Sequence, residues 1–238
     1  MEGNTKSAIL VLTYERWHTT TYIGVVCNAS GSMRKEFQEL SDKFSTIDEN
    51  NQVQFIKFYE DNRSSIETLT DFQDESEIQL ALVIQHTVGR SELYVNSNYE
   101  KAYRHLGNSL KLLLQYKSQF NYELEDDIWY LQTLQHLQLA TYKLGRLNIS
   151  LGLTNKLILI DTESKDVHVK SRKKIYCDLL SLYSKYIIYF GLTLILLELV
   201  VIRNFLDQYS NRLHHVGLAF SLLGFVGIWV SNKYAPSE

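Results

Sequence analysis

Few of the residue types that carry chemistry stand at a spacing that would support it. Cys27 and Cys177 lie far apart with no CxxC pair, so neither a zinc site nor a disulfide scaffold is predicted. The adjacent His214 and His215 lack the HExxH spacing of a zinc enzyme. No glycine-rich phosphate loop and no GxSxG nucleophile pattern occurs either. We therefore expect no catalytic residue, no metal and no cofactor, and the chain is predicted not to be an enzyme.

The acidic residues favour structural roles. The stretch ELEDD at 123–127 is typical of a helix start, where Asp126 and Asp127 favour the positive end of the helix dipole. Glu198 is a lone acid near the end of an apolar segment, which is more often structural than a proton site. The formal net charge is -3, with both signs mixed along most of the chain. Nucleic acid is therefore not an expected partner.

A helical hairpin is predicted around the stretch ATYKLGRLNISLGLTNKLILIDTES at 140–164. Apolar and small residues recur at spacings of three and four before Gly145 and resume after it. The positions of this pattern are Leu134, Leu137, Ala140, Leu144, Leu147, Leu151, Leu157 and Ile160. From Leu131 onward the pattern fits a tetratricopeptide unit, with Ser150 as the small residue where two helices approach.

A second helical pair is predicted upstream, with first helix 77–95 and second helix 98–114, although Gly89 and Arg90 weaken the middle of the first. Segments 36–46 and 52–72 are amphipathic and are expected to cap the array, since repeat units cannot bury their faces alone. Residues 8–28 are rich in β-branched side chains, which predicts a small hairpin or an irregular extension there. Its apolar run is too short to predict a secretory signal.

Two apolar segments near the C-terminus are candidate membrane spans. The first, YIIYFGLTLILLELVVI at 186–202, would measure about 26 Å as a helix, close to the ~30 Å hydrocarbon core. The second, VGLAFSLLGFVGIWV at 216–230, is marginal alone and would pair with the first as a hairpin. Basic residues before the first span predict a cytosolic body; they are Arg172, Lys173, Lys174 and Lys185. The competing interpretation is that one or both segments are buried helices of a soluble core.

These observations predict an all-α chain, a tetratricopeptide-like helical-repeat bundle followed by one or two C-terminal transmembrane helices. The expected divisions are an N-terminal extension 1–35, a helical domain 36–182, a first transmembrane helix 183–206 and a second apolar helix 213–231.

This organisation resembles the mitochondrial fission 1 protein family of tail-anchored tetratricopeptide adaptors. The resemblance is carried by IQLALVI at 78–84 and HLQLATYKLGRL at 136–147, and it continues through the second helix into the basic stretch 165–180. It implies a protein anchored in the outer mitochondrial membrane, or in peroxisomes, facing the cytosol. Residues 1–35, the second apolar segment and the tail SNKYAPSE have no counterpart in the family pattern.

The resemblance also implies a protein partner, a dynamin-related GTPase or its adaptor, recruited to fission machinery through the concave face of the repeats. Repeat geometry places that face on the first helix of each pair. The residues predicted to bind the partner are Ile84, Tyr94, Gln132, Gln135, Leu139, Tyr142 and Lys143, with Thr87, Ser91 and Val95 alongside. Membrane lipid is the second expected partner.

An alternative function remains open at this point. The chain would be a non-enzymatic assembly subunit of a membrane complex that acts mainly through its C-terminal apolar hairpin, while the repeats only dock it. A tetratricopeptide clamp for a peptide carboxylate is disfavoured, because only Lys143, Arg90 and Asn96 are available to build one.

Overall fold

The computed structural model describes residues 33–48, 50–68, 71–120, 124, 127–197 and 207–234, without the side chains of 207–213. The described residues form eight helices and contain no strand, as the all-α prediction requires. The expected N-terminal hairpin at 8–28 and Glu198 lie outside the described residues.

The chain divides into two compact units, Met1–Thr162 and Glu163–Ser237. The first unit contains α1 (Lys35–Ser45), α2 (Gln52–Thr68), α3 (Glu75–Tyr94), α4 (Tyr99–Phe120), α5 (Ile128–Lys143) and α6 (Leu147–Ile160). The second contains α7 (Lys165–Leu197) and α8 (Asp207–Tyr234). The boundary expected at 182/183 falls inside α7, because no proline or isolated glycine interrupts the chain between Lys165 and Phe190.

Consecutive helices of the first unit pack against each other from α2 to α6, and α3 also contacts α1 and α5. Short links make α3 antiparallel to α4 and α5 antiparallel to α6. Helices α5 and α6, of 16 and 14 residues, fit the roughly 34-residue tetratricopeptide unit, whereas α3 and α4, of 20 and 22 residues, exceed it.

Local signals fix where the two pairs begin and turn. The Asp127 side chain accepts a hydrogen bond of 2.7 Å from the backbone N–H of Trp129 and caps α5, and Asp74 caps α3 in the same way through Ser76. Between α5 and α6, Gly145 adopts a φ of +71°, and the N–H of Arg146 bonds the carbonyl of Thr141. This is the Schellman closure that glycine accommodates without steric cost.

The core of the first unit has two clusters. The larger one joins α1 to α6 through aromatic and aliphatic side chains, of which Phe37, Phe55, Ile78 and Leu134 are at most 1% exposed. The smaller one joins the α3–α4 turn to the end of α5; its members are Leu93, Ala102, Leu106, Leu137 and Ala140. Ser150, with no exposed surface, accepts a hydrogen bond from Gln138 where α5 and α6 approach. The small residues therefore stand where the helices cross.

The start of α3 is tied to residues that precede α1. The carboxylate of Glu77 is buried and accepts hydrogen bonds from the backbone and guanidinium of Arg34 and from the backbone of Gln73. Burial alone would raise the pKa of Glu77, but these hydrogen bonds outweigh it and lower the pKa. The ion pair between Arg34 and Glu77 holds the residue that precedes α1 against α3. The helix that caps the array is therefore fixed partly by a charge interaction.

Gly89 explains why a glycine stands in the middle of α3. A Cβ at this position would lie 2.8 Å from Cγ of Leu106 and 3.1 Å from Cβ of His105, both buried in α4. The glycine that weakens the helical pattern in the sequence is thus what lets α3 and α4 cross closely.

Gly89→Ala is therefore expected to destabilise the first unit. The alanine gains about 1 kcal/mol of helix propensity, but overpacking against a closed core costs about 1–3 kcal/mol. The net free energy of unfolding should fall by about 1 kcal/mol, measured by denaturant titration of the full chain in micelles. Gly107→Ala on α4 is the matched control, because no atom lies within 4 Å of the added methyl group, and it should stabilise instead. Equal effects of the two variants would contradict the close crossing.

Candidate functional site

The residues predicted to bind a partner do not share one environment. Ile84 is 2% exposed and belongs to the core cluster, so a partner cannot reach it in this conformation. Thr87 and Ser91 are also buried, whereas Val95 is exposed. Tyr94, Gln132, Gln135, Leu139 and Tyr142 are half-buried, and Lys143 is exposed. A face on α3 and α5 remains, but it is narrower than repeat geometry suggested.

Gln135 and Leu139 are predicted residues that have contacts within the chain. The amide of Gln135 donates a 3.2 Å hydrogen bond to Asp161, which follows α6. Leu139 packs against the smaller core cluster. Both therefore hold the end of the second pair together, whatever else they contact.

The centre of this face is a polar cluster that we call the α3–α5 seam. It is formed by His86, Arg90 and Tyr94 of α3 and by Trp129, Thr133 and His136 of α5. On α3 its members recur at intervals of four, and on α5 at intervals of four and three, so each helix presents a single stripe.

Rings and one hydrogen bond hold the seam together. Nδ1 of His86 lies 2.9 Å from Oγ1 of Thr133, and the His86 ring stands edge-to-face with Trp129 at 4.7 Å between centroids. The His86 and His136 rings are 5.2 Å apart, and Tyr94 contacts His136 edge-on at 5.6 Å. Of the residues predicted for the partner face, the seam thus contains only Tyr94.

Burial sets the protonation of the seam. It holds the pKa of His86 well below its ordinary value, and the nearby His136 and Arg90 act in the same direction. Burial likewise lowers the pKa of His136 to about 3, with Arg90 adding to the effect. Both rings are therefore neutral at pH 7, and Arg90 supplies the charge of the seam.

Sequence reasoning missed His86 and His136 because it tested histidines only for metal spacing, and it considered Arg90 only for a carboxylate clamp that it disfavoured. The signal that could have found them is the interval of four that links His86, Arg90 and Tyr94 on one helix face. No group of three or more metal-ligating side chains occurs in the part of the chain that the structure describes.

The second unit offers a different surface. Helices α7 and α8 pack as a hairpin whose interior is lined by small residues, with Ser184, Ser221 and Ser231 at most 7% exposed. A Cβ at Gly191 would lie 2.6 Å from the backbone oxygen of Gly217. The hydroxyl of Ser231 donates a 2.6 Å hydrogen bond to the carbonyl of Cys177.

The outer surface of the same hairpin is apolar. Tyr189, Leu222 and Leu223 are more than 60% exposed. Other exposed apolar side chains are Tyr183, Tyr186, Phe190, Leu196, Phe225, Val226 and Trp229. By length and composition, Lys165–Leu197 and His214–Tyr234 can each cross a membrane, and little of either apolar window is buried.

No protein-family model, curated protein or solved structure matches the chain.

Proposed function

We propose that this protein is a membrane-anchored helical-repeat adaptor that presents its first unit to a cytosolic protein partner. The observation that carries the proposal is the inverted packing of the α7–α8 hairpin, with serine and glycine inside and large apolar side chains outside. In water this arrangement would expose an apolar surface with no compensation. In a bilayer the same arrangement is favourable, because small residues let helices approach and lipid covers the rest.

Details of the flanks agree with this anchor. Tyr176, Tyr183 and Trp229 are exposed toward the end of the hairpin where Ser231 meets Cys177. Aromatic rings of this kind favour the headgroup region. Exposed Lys173 and Lys185 lie in the same part of α7, as expected for a cytosolic flank.

The first unit supplies the adaptor surface. Two antiparallel helical pairs stacked in order are the arrangement that tetratricopeptide-like repeats use to build a concave face from their first helices. We assign partner binding to the accessible side chains of that face, Tyr94, Gln132, Tyr142 and Lys143, together with the α3–α5 seam.

The resemblance to the fission 1 family supplies the partner and the organelle. In this proposal the partner is a dynamin-related GTPase or its adaptor, and the membrane is the outer mitochondrial membrane, with peroxisomes as the second site. The protein itself is not an enzyme; it recruits one.

Protease protection on isolated organelles, with a tag at each end of the chain, tests the anchor. Because α7 and α8 are antiparallel, both tags should be digested, leaving a protected fragment of approximately 183–231, and the protein should resist salt extraction and dissolve in detergent. Recovery in the soluble fraction would end the proposal. Loss of the N-terminal tag alone would mean a single span.

A second candidate is favoured by the same apolar surface. A hairpin that exposes large side chains can contact another membrane subunit as well as lipid, which would make the protein an assembly subunit of a membrane complex. Deleting 210–238 separates the two functions. An adaptor keeps its soluble partner and loses its targeting, whereas an assembly subunit loses its complex.

A further inference from the structure

Three nitrogen atoms of the α3–α5 seam are buried without a hydrogen-bond partner among the described residues. They are Nε2 of His86, Nε of Arg90 and Nδ1 of His136. Native proteins leave few such groups, since each has lost its hydration without compensation. Three of them on two facing helix stripes therefore indicate a place that a further group completes.

The seam has a closed floor and an accessible rim. The His86 side chain is 2% exposed, and its Nδ1 is already engaged by Thr133. Arg90, Tyr94 and His136 are each half-buried, so part of each side chain reaches solvent, although Nε of Arg90 and Nδ1 of His136 are buried. A group arriving from outside therefore meets Arg90 and His136 before it meets His86.

The charge of the seam selects the chemistry of that group. On α3 the polar members are His86, Arg90 and Tyr94, and on α5 they are Thr133 and His136; no carboxylate of the described residues pairs with Arg90. The guanidinium is a permanent cation and its Nε can only donate. The group that fits the seam is therefore a hydrogen-bond acceptor that carries one negative charge.

We propose that the α3–α5 seam binds a single carboxylate of the partner protein, with Nε of Arg90 and a ring N–H of His136 as donors. A carboxylate matches one guanidinium in charge, whereas a phosphate dianion would remain half-compensated in a partly buried site. This inference rests on the proposed adaptor function, because it gives the chemistry of the group that the adaptor recognises.

The test uses the full chain in detergent micelles with isotope-labelled histidine. A blocked hexaglutamate peptide is titrated at pH 7, and the histidine ring signals are followed by NMR, with assignments from single His→Gln variants. The signals of His136 and His86 should shift saturably. Those of His105 should stay fixed, since this buried ring is bonded to Gln85 outside the seam.

Arg90→Gln is the diagnostic variant and should weaken hexaglutamate binding at least about tenfold, as expected for loss of a hydrogen bond to a charged group. Arg104→Gln is the matched control, because Arg104 is an exposed arginine on α4. It should leave the titration unchanged. Equal loss in both variants would mean diffuse charge attraction and would overturn the site.

Other probes separate the sources of the negative charge. Blocked hexaglutamine should shift nothing; if it shifts the same signals, or if hexaglutamate shifts none, the proposal is wrong and water fills the seam. If inorganic phosphate binds and hexaglutamate does not, the ligand of the seam is a phosphate and the carboxylate proposal is wrong. Free acetate that binds as tightly as the peptide would point to a small metabolite instead of a protein.

This experiment does not depend on the anchor. The ring signals report the seam in micelles whether or not the protein resides in a membrane. The organelle assay reports the anchor whether or not the seam binds a carboxylate, so the two proposals fail separately.

Discussion

Gly191→Leu or Gly224→Leu is expected to separate α7 from α8 while leaving membrane insertion intact. A Cβ at Gly191 would lie 2.6 Å from the carbonyl oxygen of Gly217, and one at Gly224 would lie 2.7 Å from that of Ser184. The clash is with backbone, which cannot rotate away, so the helices must move apart. Overpacking of this kind costs roughly 3 kcal/mol or more. Leucine also makes the segment more apolar, so insertion itself should not suffer.

Thiol crosslinking measures this separation. Because the Ser231 hydroxyl bonds the backbone carbonyl of Cys177, Ser231→Cys brings a second thiol next to residue 177. With Cys27 changed to serine, a short thiol crosslinker should join them in the parent and fail in either glycine variant.

The matched control for the hairpin is Ala219→Leu, at an exposed position of α8. It adds the same side chain toward the surroundings instead of toward α7, and crosslinking should persist. Full crosslinking in Gly191→Leu would show that the two helices do not pack through their glycines. Loss of crosslinking in Ala219→Leu would show that added bulk alone disrupts the hairpin.

Acid is expected to destabilise the first unit well before its carboxylates are fully protonated. Burial lowers the pKa of His105 to about 4 and that of His136 to about 3, and it holds the pKa of His86 well below its ordinary value. In the unfolded chain the three rings titrate near pH 6.5. Below that pH the unfolded state binds more protons, so stability is complete above pH 6.5 and falls as the pH drops toward 4.

The size of the effect follows from the number of rings. Three buried histidines give a slope approaching about 4 kcal/mol per pH unit where all three rings are protonated in the unfolded chain and neutral in the folded one. Domains of this size are stable by about 5–15 kcal/mol. Unfolding by roughly pH 4 to 5 is therefore expected.

Denaturant titrations of the full chain in micelles at several pH values between 7.5 and 5 measure this slope. His136→Gln should lower the slope of the unfolding free energy against pH by the contribution of one proton, ~1.4 kcal/mol per pH unit. His215→Gln, on the exposed surface of α8, is the control and should leave the slope unchanged. A slope of the first unit that is flat between pH 6.5 and 5 would contradict the burial of neutral rings.

Much of the helical organisation is readable from the sequence because it depends on local physics. The apolar spacing around Leu134 and Leu137 and the glycine at 145 predict α5, the turn and α6, and the structure has all three. Asp127 was expected at a helix start and caps α5. Capping, turn geometry and periodicity act over a few residues, so a pattern in the text is enough to locate them.

Position within the tertiary structure corrected other expectations. Repeat geometry assigned Ile84 to the partner face, but its side chain lies in the larger core cluster. Helices α3 and α4 are longer than the helices of a tetratricopeptide unit, and Ile84 lies in the interior between them and their neighbours. Gly89 was judged a weak point of α3, but it is the position where α3 packs closely against Leu106 of α4. Both differences have one cause: which side of a helix is covered depends on residues far away in the chain.

The sequence by itself determined that this protein is helical and in which segments six of its helices lie, and it marked two C-terminal segments apolar enough to cross a membrane, since these properties are set by composition and short-range spacing. Only the tertiary structure decided that serine and glycine face inward between α7 and α8, and that His86, Arg90 and His136 meet in one seam. Such juxtapositions join residues dozens of positions apart, and packing alone brings them together.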